Sequence, residues 1–282
     1  METIPLVEVP VIDVPISEVP IFTPDLPLFI DEDRDLGVVN DPQKVVGYLN
    51  ETDTTDVFSF SLNATNNLNL ALTKITAGDD ADLSLYKDVN GNGVLDKGID
   101  SFIGSSSRGS NADEAINLQA QTAGTYFAEV MRYAPGSIGS VRYNLSLSAT
   151  PPGPFTTSPS NLLPTEVEVA NLSDSSKTLY GSVGNSNTAD VYHFSLGPST
   201  YGYSFRLNLS GLSNDADVRL IKDFNSNGIV DVGEELARSQ QGGTSPESIS
   251  QKLLQGDYFV QVYQYNGDTS YQLDMSARGI IG

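Results

Sequence analysis

Hydrophobic residues along this chain recur at every second position, in short runs broken by clusters of Gly, Asn, Asp and Ser. Such alternation puts one face of a strand in a core and the other in water, and the polar clusters supply the turns between strands. In the second half the pattern predicts strands over 178–183, 190–196, 203–210, 216–222, 235–240, 247–253, 257–265 and 269–276. Asn111 to Gln121 is long enough for a short helix, but Ile116, Leu118 and Ala120 alternate and Gly124 follows, so it reads as strand. Eight short strands joined by such turns predict a sandwich or jelly roll.

The pattern occurs twice. Gly47 to Leu62, with Asp56-Val-Phe58-Ser-Phe60-Ser-Leu62, answers Gly181 to Leu196, with Asp190-Val-Tyr192-His-Phe194-Ser-Leu196. Asp80-Ala-Asp82-Leu-Ser-Leu85 answers Asp215-Ala-Asp217-Val-Arg-Leu220, and Gly124-Thr-Tyr126-Phe answers Gly256-Asp-Tyr258-Phe. The closing segments Tyr143 to Ala149 and Tyr271 to Ala277 correspond as well. A repeat of this size in constant order predicts an all-β protein of two tandem jelly-roll-like β-sandwich domains, residues 31–150 and 164–282, each long enough for its own core.

Two proline-rich segments fall outside the copies. Residues 1–30 carry Pro5, Pro10, Pro15 and Pro20 at a spacing of five, with Glu8, Asp13 and Glu18 between them, which suits an extended or disordered arm. Such an arm serves as a solvated spacer or as a partner-binding strand. Residues 151–163 read as an interdomain linker whose prolines limit folding into either neighbour.

Composition narrows the function. With 36 acidic and 15 basic residues the net charge is -21, which repels nucleic acid and anionic membranes and favours cations as partners. The chain has no cysteine, which removes disulfides, thiolate nucleophiles and cysteine-ligated metals. No apolar run reaches the roughly 18 residues of a membrane span. The start, Met1-Glu-Thr-Ile-Pro, lacks the basic and apolar regions of a signal peptide. An extracellular or periplasmic location therefore needs another export signal or an upstream start; otherwise the protein stays inside.

The strongest chemical signal is a duplicated acidic loop, Asp88-Val-Asn90-Gly-Asn92-Gly-Val94-Leu-Asp96 and Asp223-Phe-Asn225-Ser-Asn227-Gly-Ile229-Val-Asp231. Oxygen donors at positions 1, 3, 5 and 9, a carbonyl at 7 and glycine at 6 match the spacing by which an EF-hand loop wraps calcium. Position 12 is Glu234 in the second loop; in the first it is Ile99, with Asp100 one residue late, which predicts weaker binding there. The same Asn-Gly chemistry also suits a hairpin turn, although a turn needs only two such residues. Asp80/Asp82 and Asp215/Asp217 share a strand face, and either join a metal shell, form a second site, or cap turns. Asp56 and Asp190, at strand starts, read as turn residues. Tyr126 and Tyr258 read as core aromatics with satisfied hydroxyls.

Catalysis is disfavoured by inventory. His193 is the single histidine, its counterpart is Ser59, and alternation places it on the solvated strand face. There is no nucleophile elbow, Walker loop or zinc-protease motif. A face around Tyr263, Tyr265 and Tyr271 is a candidate platform for a protein or polysaccharide surface.

These ordered motifs, Asp-x-Tyr/Phe-x-Phe-Ser-Leu, Asp-Ala-Asp, Asp-x-Asn-x-Asn-Gly-x-x-Asp, Gly-x-Tyr-Phe-x-x-Val and Tyr-x-Leu-x-x-Ser-Ala, resemble the bacterial pre-peptidase C-terminal domain. The tandem form found in cyanobacterial secreted proteins is the most similar, and the resemblance covers about residues 35–150 and 164–277. It implies a non-catalytic sandwich, stabilised by calcium and helping to bind substrate in collagenase relatives. Such domains usually follow a secreted peptidase; none precedes the repeats here, so any role in peptidase maturation falls to another chain's peptidase.

Overall fold

In the computed structural model the described residues are 33–136, 139–152 and 159–281, so the proline-rich arm at 1–30 and most of the linker lie outside them. Every regular element among the described residues is a strand. The first copy contains β1 (Arg34–Val38), β2 (Gln43–Leu49), β3 (Thr55–Leu62), β4 (Asn66–Thr73), β5 (Asp80–Lys87), β6 (Ser101–Ser106), β7 (Glu114–Gln121), β8 (Gly124–Ala134) and β9 (Val141–Thr150). The second contains β10 (Val167–Asn171), β11 (Ser175–Val183), β12 (Ala189–Leu196), β13 (Tyr203–Ser210), β14 (Asp215–Ile221), β15 (Glu235–Ser239), β16 (Glu247–Leu253), β17 (Gly256–Asn266) and β18 (Thr269–Gly279).

Each copy is a sandwich of a five-stranded and a four-stranded sheet: β1-β3-β8-β5-β6 over β2-β9-β4-β7, and β10-β12-β17-β14-β15 over β11-β18-β13-β16. The fold class is thus all-β, with two tandem sandwiches. The inward residues of facing sheets, such as Phe60, Leu70, Tyr126 and Leu145, then Phe194, Phe205, Tyr258 and Leu273, form one core per copy. Phe194 stacks between Phe205 at 5.1 Å and Tyr258 at 5.5 Å, joining the two sheets. Each such ring contributes about 1.5–3 kcal/mol by burial. Tyr126 and Tyr258 are buried, as the sequence predicts, and their hydroxyls donate to the Thr122 carbonyl at 2.6 Å and the Leu254 carbonyl at 2.9 Å.

Alternation finds eight strands of the second copy and misses β10. This strand pairs in parallel with β12, as β1 does with β3, and both pairings shift register partway. In β10 the shift coincides with Ala170 at φ 65°, so its outward and inward positions do not keep a clean period of two. The missed strand also changes the setting of His193. Instead of facing open solvent, its Nδ1 lies 2.6 Å from Glu168 on β10, its Nε2 is 3.6 Å from Asp257, and its ring packs 5.0 Å from Phe259.

The two sandwiches meet along β7, the edge strand of its sheet. The Gln119 N–H donates to the Asn185 carbonyl at 2.9 Å and the Thr188 N–H to the Asn117 carbonyl at 3.1 Å, so the turn before β12 extends the edge. The Asn117 amide donates to the Ala189 carbonyl at 3.1 Å, and Arg108 reaches the carbonyls of Thr165 at 3.2 Å and Glu166 at 2.6 Å. Residues 159–163 lie on the second sandwich, where Leu163 packs with Val191 and Ile221.

Candidate cation-binding loops

Each loop leaves the end of a central strand, β5 or β14, and returns into the edge strand β6 or β15. Its first carboxylate winds the chain back on itself. Asp88 accepts from the N–H groups of Gly91 at 2.6 Å and Gly93 at 3.0 Å; Asp223 accepts from Asn227 at 3.2 Å and Gly228 at 2.8 Å. The amides repeat the device, Asn90 accepting from Asn92 N–H at 3.0 Å and Asn92 from Val94 N–H at 2.9 Å, with Asn225 and Asn227 doing the same in the second loop. Position 6 demands glycine, since Gly93 and Gly228 sit at φ 74° and 77°.

The side chains of positions 3, 5 and 9 meet at one point. Asn90 and Asn92 donate to one oxygen of Asp96 at 2.9 and 2.7 Å, and Asn225 and Asn227 donate to one oxygen of Asp231 at 2.8 and 2.9 Å. Closure is where sequence and structure differ most. Glu234 accepts from the N–H groups of Phe224 and Asp231, both at 2.8 Å, and Asp100 accepts from the equivalent groups of Val89 at 3.2 Å and Asp96 at 2.8 Å. Both carboxylates are buried, at 6% exposure for Asp100 and 4% for Glu234. Although Asp100 comes one residue late, the turn of the chain brings its shorter side chain to the place that Glu234 fills. A count along the sequence cannot register that exchange.

Among the described residues no three carboxylate, histidine or cysteine side chains converge as a metal cluster. A cation in these loops would have to draw on the asparagine amides and the carbonyls of Val94 and Ile229. That oxygen-rich set suits a hard ion. The amide nitrogens now face Asp96 and Asp231, and a half-turn of each amide exchanges nitrogen for oxygen. Asp88 and Asp223 retain acceptor capacity beyond their N–H bonds. The loop residues therefore fit a hard cation after a local change of two amides.

The surroundings of the loops differ. In the first, Asn92, Gly93 and Val94 are exposed, Val94 at 61%. In the second, the Leu163 N–H donates to the Gly228 carbonyl at 3.0 Å and the Val230 N–H to the Asn161 carbonyl at 2.8 Å. Two lysines of the first sandwich add to this, Lys44 reaching the Asn227 carbonyl at 2.8 Å and Lys74 the Ser226 carbonyl at 3.1 Å. Ser226 holds φ 57°, which Gly91 adopts freely in the first loop, so the bracing keeps a backbone that costs about 1–2 kcal/mol for a side-chain-bearing residue.

The paired aspartates belong to neither loop. Asp82 and Asp88 are six residues apart along an extended strand, about 20 Å at the usual rise, so the pair cannot complete the same shell. Asp217 is buried, its carboxyl pushed up to about 7 by burial while Gln240 partly offsets the shift. Asp215 accepts from the Gly243 N–H at 2.8 Å.

Other expectations change outright. Asp56 and Asp190 are not exposed turn residues: Asp56 is fully buried, and each accepts from a core tyrosine hydroxyl, Tyr143 or Tyr271. The Tyr271 hydroxyl also meets that of Tyr192 at 2.7 Å. Gly47 and Gly181 make room for this contact, since a Cβ at either position would overlap the phenol. The tyrosine platform is lost as well, since Tyr263 and Tyr271 are both only 3% exposed, Tyr263 accepting from the Gln240 amide at 3.1 Å. Alternation puts residues on faces but does not say that Tyr271 points inward to a carboxyl. The signal that sequence reading passed over was the joint recurrence of glycine, aspartate and tyrosine in both copies.

Residues 54–131, from β3 of the first sandwich through its first loop into β8, match the bacterial pre-peptidase C-terminal domain. Among solved structures, the chain is similar to the pre-peptidase C-terminal domain of a collagenase from Bacillus anthracis, at 21% identity over 40% of this chain and 96% of that one, with a TM-score of 0.30. It is also similar to PliG of Aeromonas hydrophila, a periplasmic inhibitor of g-type lysozyme, at 20% identity over 39% of this chain and 99% of that one, with a TM-score of 0.27. No curated protein matches the chain.

Proposed function

We propose that this chain is a non-catalytic tandem module in which both copies are of pre-peptidase C-terminal type, as in cyanobacterial secreted proteins, and that calcium stabilises it. It works outside the cytoplasm as an accessory, adhesion or scaffold component. The observation that carries this reading is the duplicated loop closure, in which Asp100 and Glu234 take the same two backbone N–H groups despite their different sequence spacing. A simple turn does not need a buried carboxylate eleven or twelve residues beyond its start, repeated in both copies.

Asp88, Asn90, Asn92, Asp96 and the Val94 carbonyl would hold one ion, and Asp223, Asn225, Asn227, Asp231 and the Ile229 carbonyl the other. Asp100 and Glu234 keep each loop closed around it. The ion supplies positive charge at a strand connection of a chain carrying -21 overall, and its binding to the folded state alone adds stability.

Calorimetric titration tests this directly. Wild type takes up two calcium ions, and Asp88→Ala and Asp223→Ala each remove one. Magnesium raises the melting temperature far less than calcium, since it demands tighter octahedral geometry. A melting curve that chelator leaves unchanged would overturn the calcium reading.

A further inference from the structure

The contact between the two sandwiches is heterologous: the edge strand β7 of the first receives a turn of the second, residues 185–188. Because the copies repeat one fold, each half of that contact has a counterpart elsewhere on the chain. β16 is the corresponding edge of the second four-stranded sheet. Register fixes the equivalences, Leu70 opposite Ile116 answering Leu207 opposite Ile249, so that Ser250 and Lys252 stand for Asn117 and Gln119, and Arg206 stands for Asn69. Ser250, Lys252 and Arg206 are all exposed.

The receiving turn is repeated as well. The Asn50 N–H donates to the Asp53 carbonyl at 2.6 Å, as Gly184 does to Asn187 at 2.8 Å. The Arg132 N–H donates to the Thr54 carbonyl at 3.0 Å, as Gln264 does to Thr188 at 2.9 Å. Asp33 accepts from the Val57 N–H at 2.9 Å, as Glu166 does from Val191 at 2.7 Å. Glu51 therefore stands for Asn185, Thr54 for Thr188 and Asp33 for Glu166, and all three first-copy residues are exposed.

Charge separates the open pair of surfaces from the closed one. Within the chain, Asn69 and Gln119 face the neutral Thr188 and Asn185, and Asn69 donates to Asn117 at 2.8 Å. At the corresponding surfaces, exposed among the described residues, the amides are replaced by Arg206 and Lys252 on one side, and on the other Glu51 replaces Asn185 while Asp33 keeps the carboxylate that Glu166 supplies in the closed contact. A basic edge is uncommon on a chain of net charge -21, and it fits an acidic turn by opposite charge. Unpaired strand edges are also templates for further pairing.

We propose that copies of this chain associate head to tail, the β16 edge of one molecule taking the Glu51–Thr54 turn of the next as β7 takes the 185–188 turn within the chain. The Lys252 N–H and Ser250 carbonyl pair with the main chain of that turn, while Arg206 and Lys252 face Asp33 and Glu51. A heterologous contact of this kind builds rings or open filaments, not closed two-fold dimers. The inference does not depend on calcium in the loops, because neither surface contains a loop donor.

Sedimentation velocity of the full chain, with and without calcium, tests it. The sedimentation coefficient of wild type rises with concentration. Arg206→Glu with Lys252→Glu raises the concentration at which association is half complete by about tenfold or more, as expected for reversed charge pairs, and Glu51→Lys does the same from the opposite surface. An equimolar mixture of those two variants associates again, because their altered surfaces complement each other. Lys252→Pro removes the edge N–H while leaving the pairing with β13, and abolishes association. Melting temperatures monitor folding, and if a β16 variant misfolds, Glu51→Lys on the other sandwich decides. A wild type that stays monomeric at the highest concentration, or association indifferent to the reversed charges, overturns the proposal.

Discussion

The first and second sandwiches are alike inside and unlike outside. Both set an aspartate against a core tyrosine beneath a glycine, both seat a buried glutamate on a serine, Glu114 on Ser106 and Glu247 on Ser239, and both close an acidic loop with a buried carboxylate. They part where each meets its neighbour. The first loop stands exposed, whereas the second is held by residues 161–163 and by Lys44 and Lys74. Sequence spacing predicts a weaker first loop because Ile99 stands at position 12; the structure supplies Asp100 there and relocates the asymmetry to the surroundings. Two copies of one motif thus differ in what packs on them more than in how their own residues close the loop.

The largest test of that likeness is steric. Gly47→Ala and Gly181→Ala each drive a Cβ into a buried phenol, and each should cost about 3 kcal/mol, the upper end of overpacking penalties. Denaturant unfolding of the two variants gives similar losses if the interiors are equivalent; a loss confined to one breaks the comparison.

Calcium comes next. At a hundredfold excess over its dissociation constant, one ion stabilises the fold by about 2.7 kcal/mol. Asp96→Ala and Asp231→Ala should each remove one such contribution, read as a lower melting temperature in calcium and a smaller drop on chelation than wild type shows.

A smaller effect follows from pH. Burial pushes the Glu114 carboxyl up to about 7 in the first copy and the Asp217 carboxyl up to about 7 in the second, and burial next to Asp190 pushes Glu166 up to about 8 at the contact between sandwiches. Each folded-state value lies above its unfolded one, so the folded state binds protons more tightly between them. Stability should therefore fall as pH rises from about 5 to about 8, the range set by those raised values. Glu114→Gln and Asp217→Asn flatten the curve from opposite sandwiches, and Glu166→Gln flattens its upper end. A melting temperature that rises over this range contradicts the assignment.

The smallest effect sharpens the difference between loops. Lys44→Ala with Lys74→Ala removes two carbonyl contacts from the second loop and should lower its calcium affinity several-fold, a net change of about 1 kcal/mol after the relief of repulsion between the ammonium groups and the ion. The first loop's affinity stays unchanged. Equal weakening of both sites in a titration would show that the bracing is not what distinguishes them.

Much of the fold was legible in the chain. Period-two alternation, the turn residues and the repeat are local properties, and they suffice for an all-β tandem with its strands near their observed places, including β7, which length alone would make a helix. Loop donors at fixed spacing are local too. The strand β10 was missed because it pairs in parallel with a partner about 25 residues away and breaks register, which leaves no clean alternation.

What only the tertiary structure decided depends on chain segments that return from far away. Asp190 becomes a half-buried acceptor because Tyr271, 81 residues later, crosses it beneath Gly181. His193 acquires carboxylate neighbours because β10 lies alongside. Asp100 substitutes for a glutamate because the loop's path, not its residue count, sets where a carboxylate arrives. The edges of β7 and β16 look alike in sequence pattern, yet among the described residues only β7 receives a turn of the other sandwich, since which repeat docks on which edge is fixed by the packing of whole sandwiches.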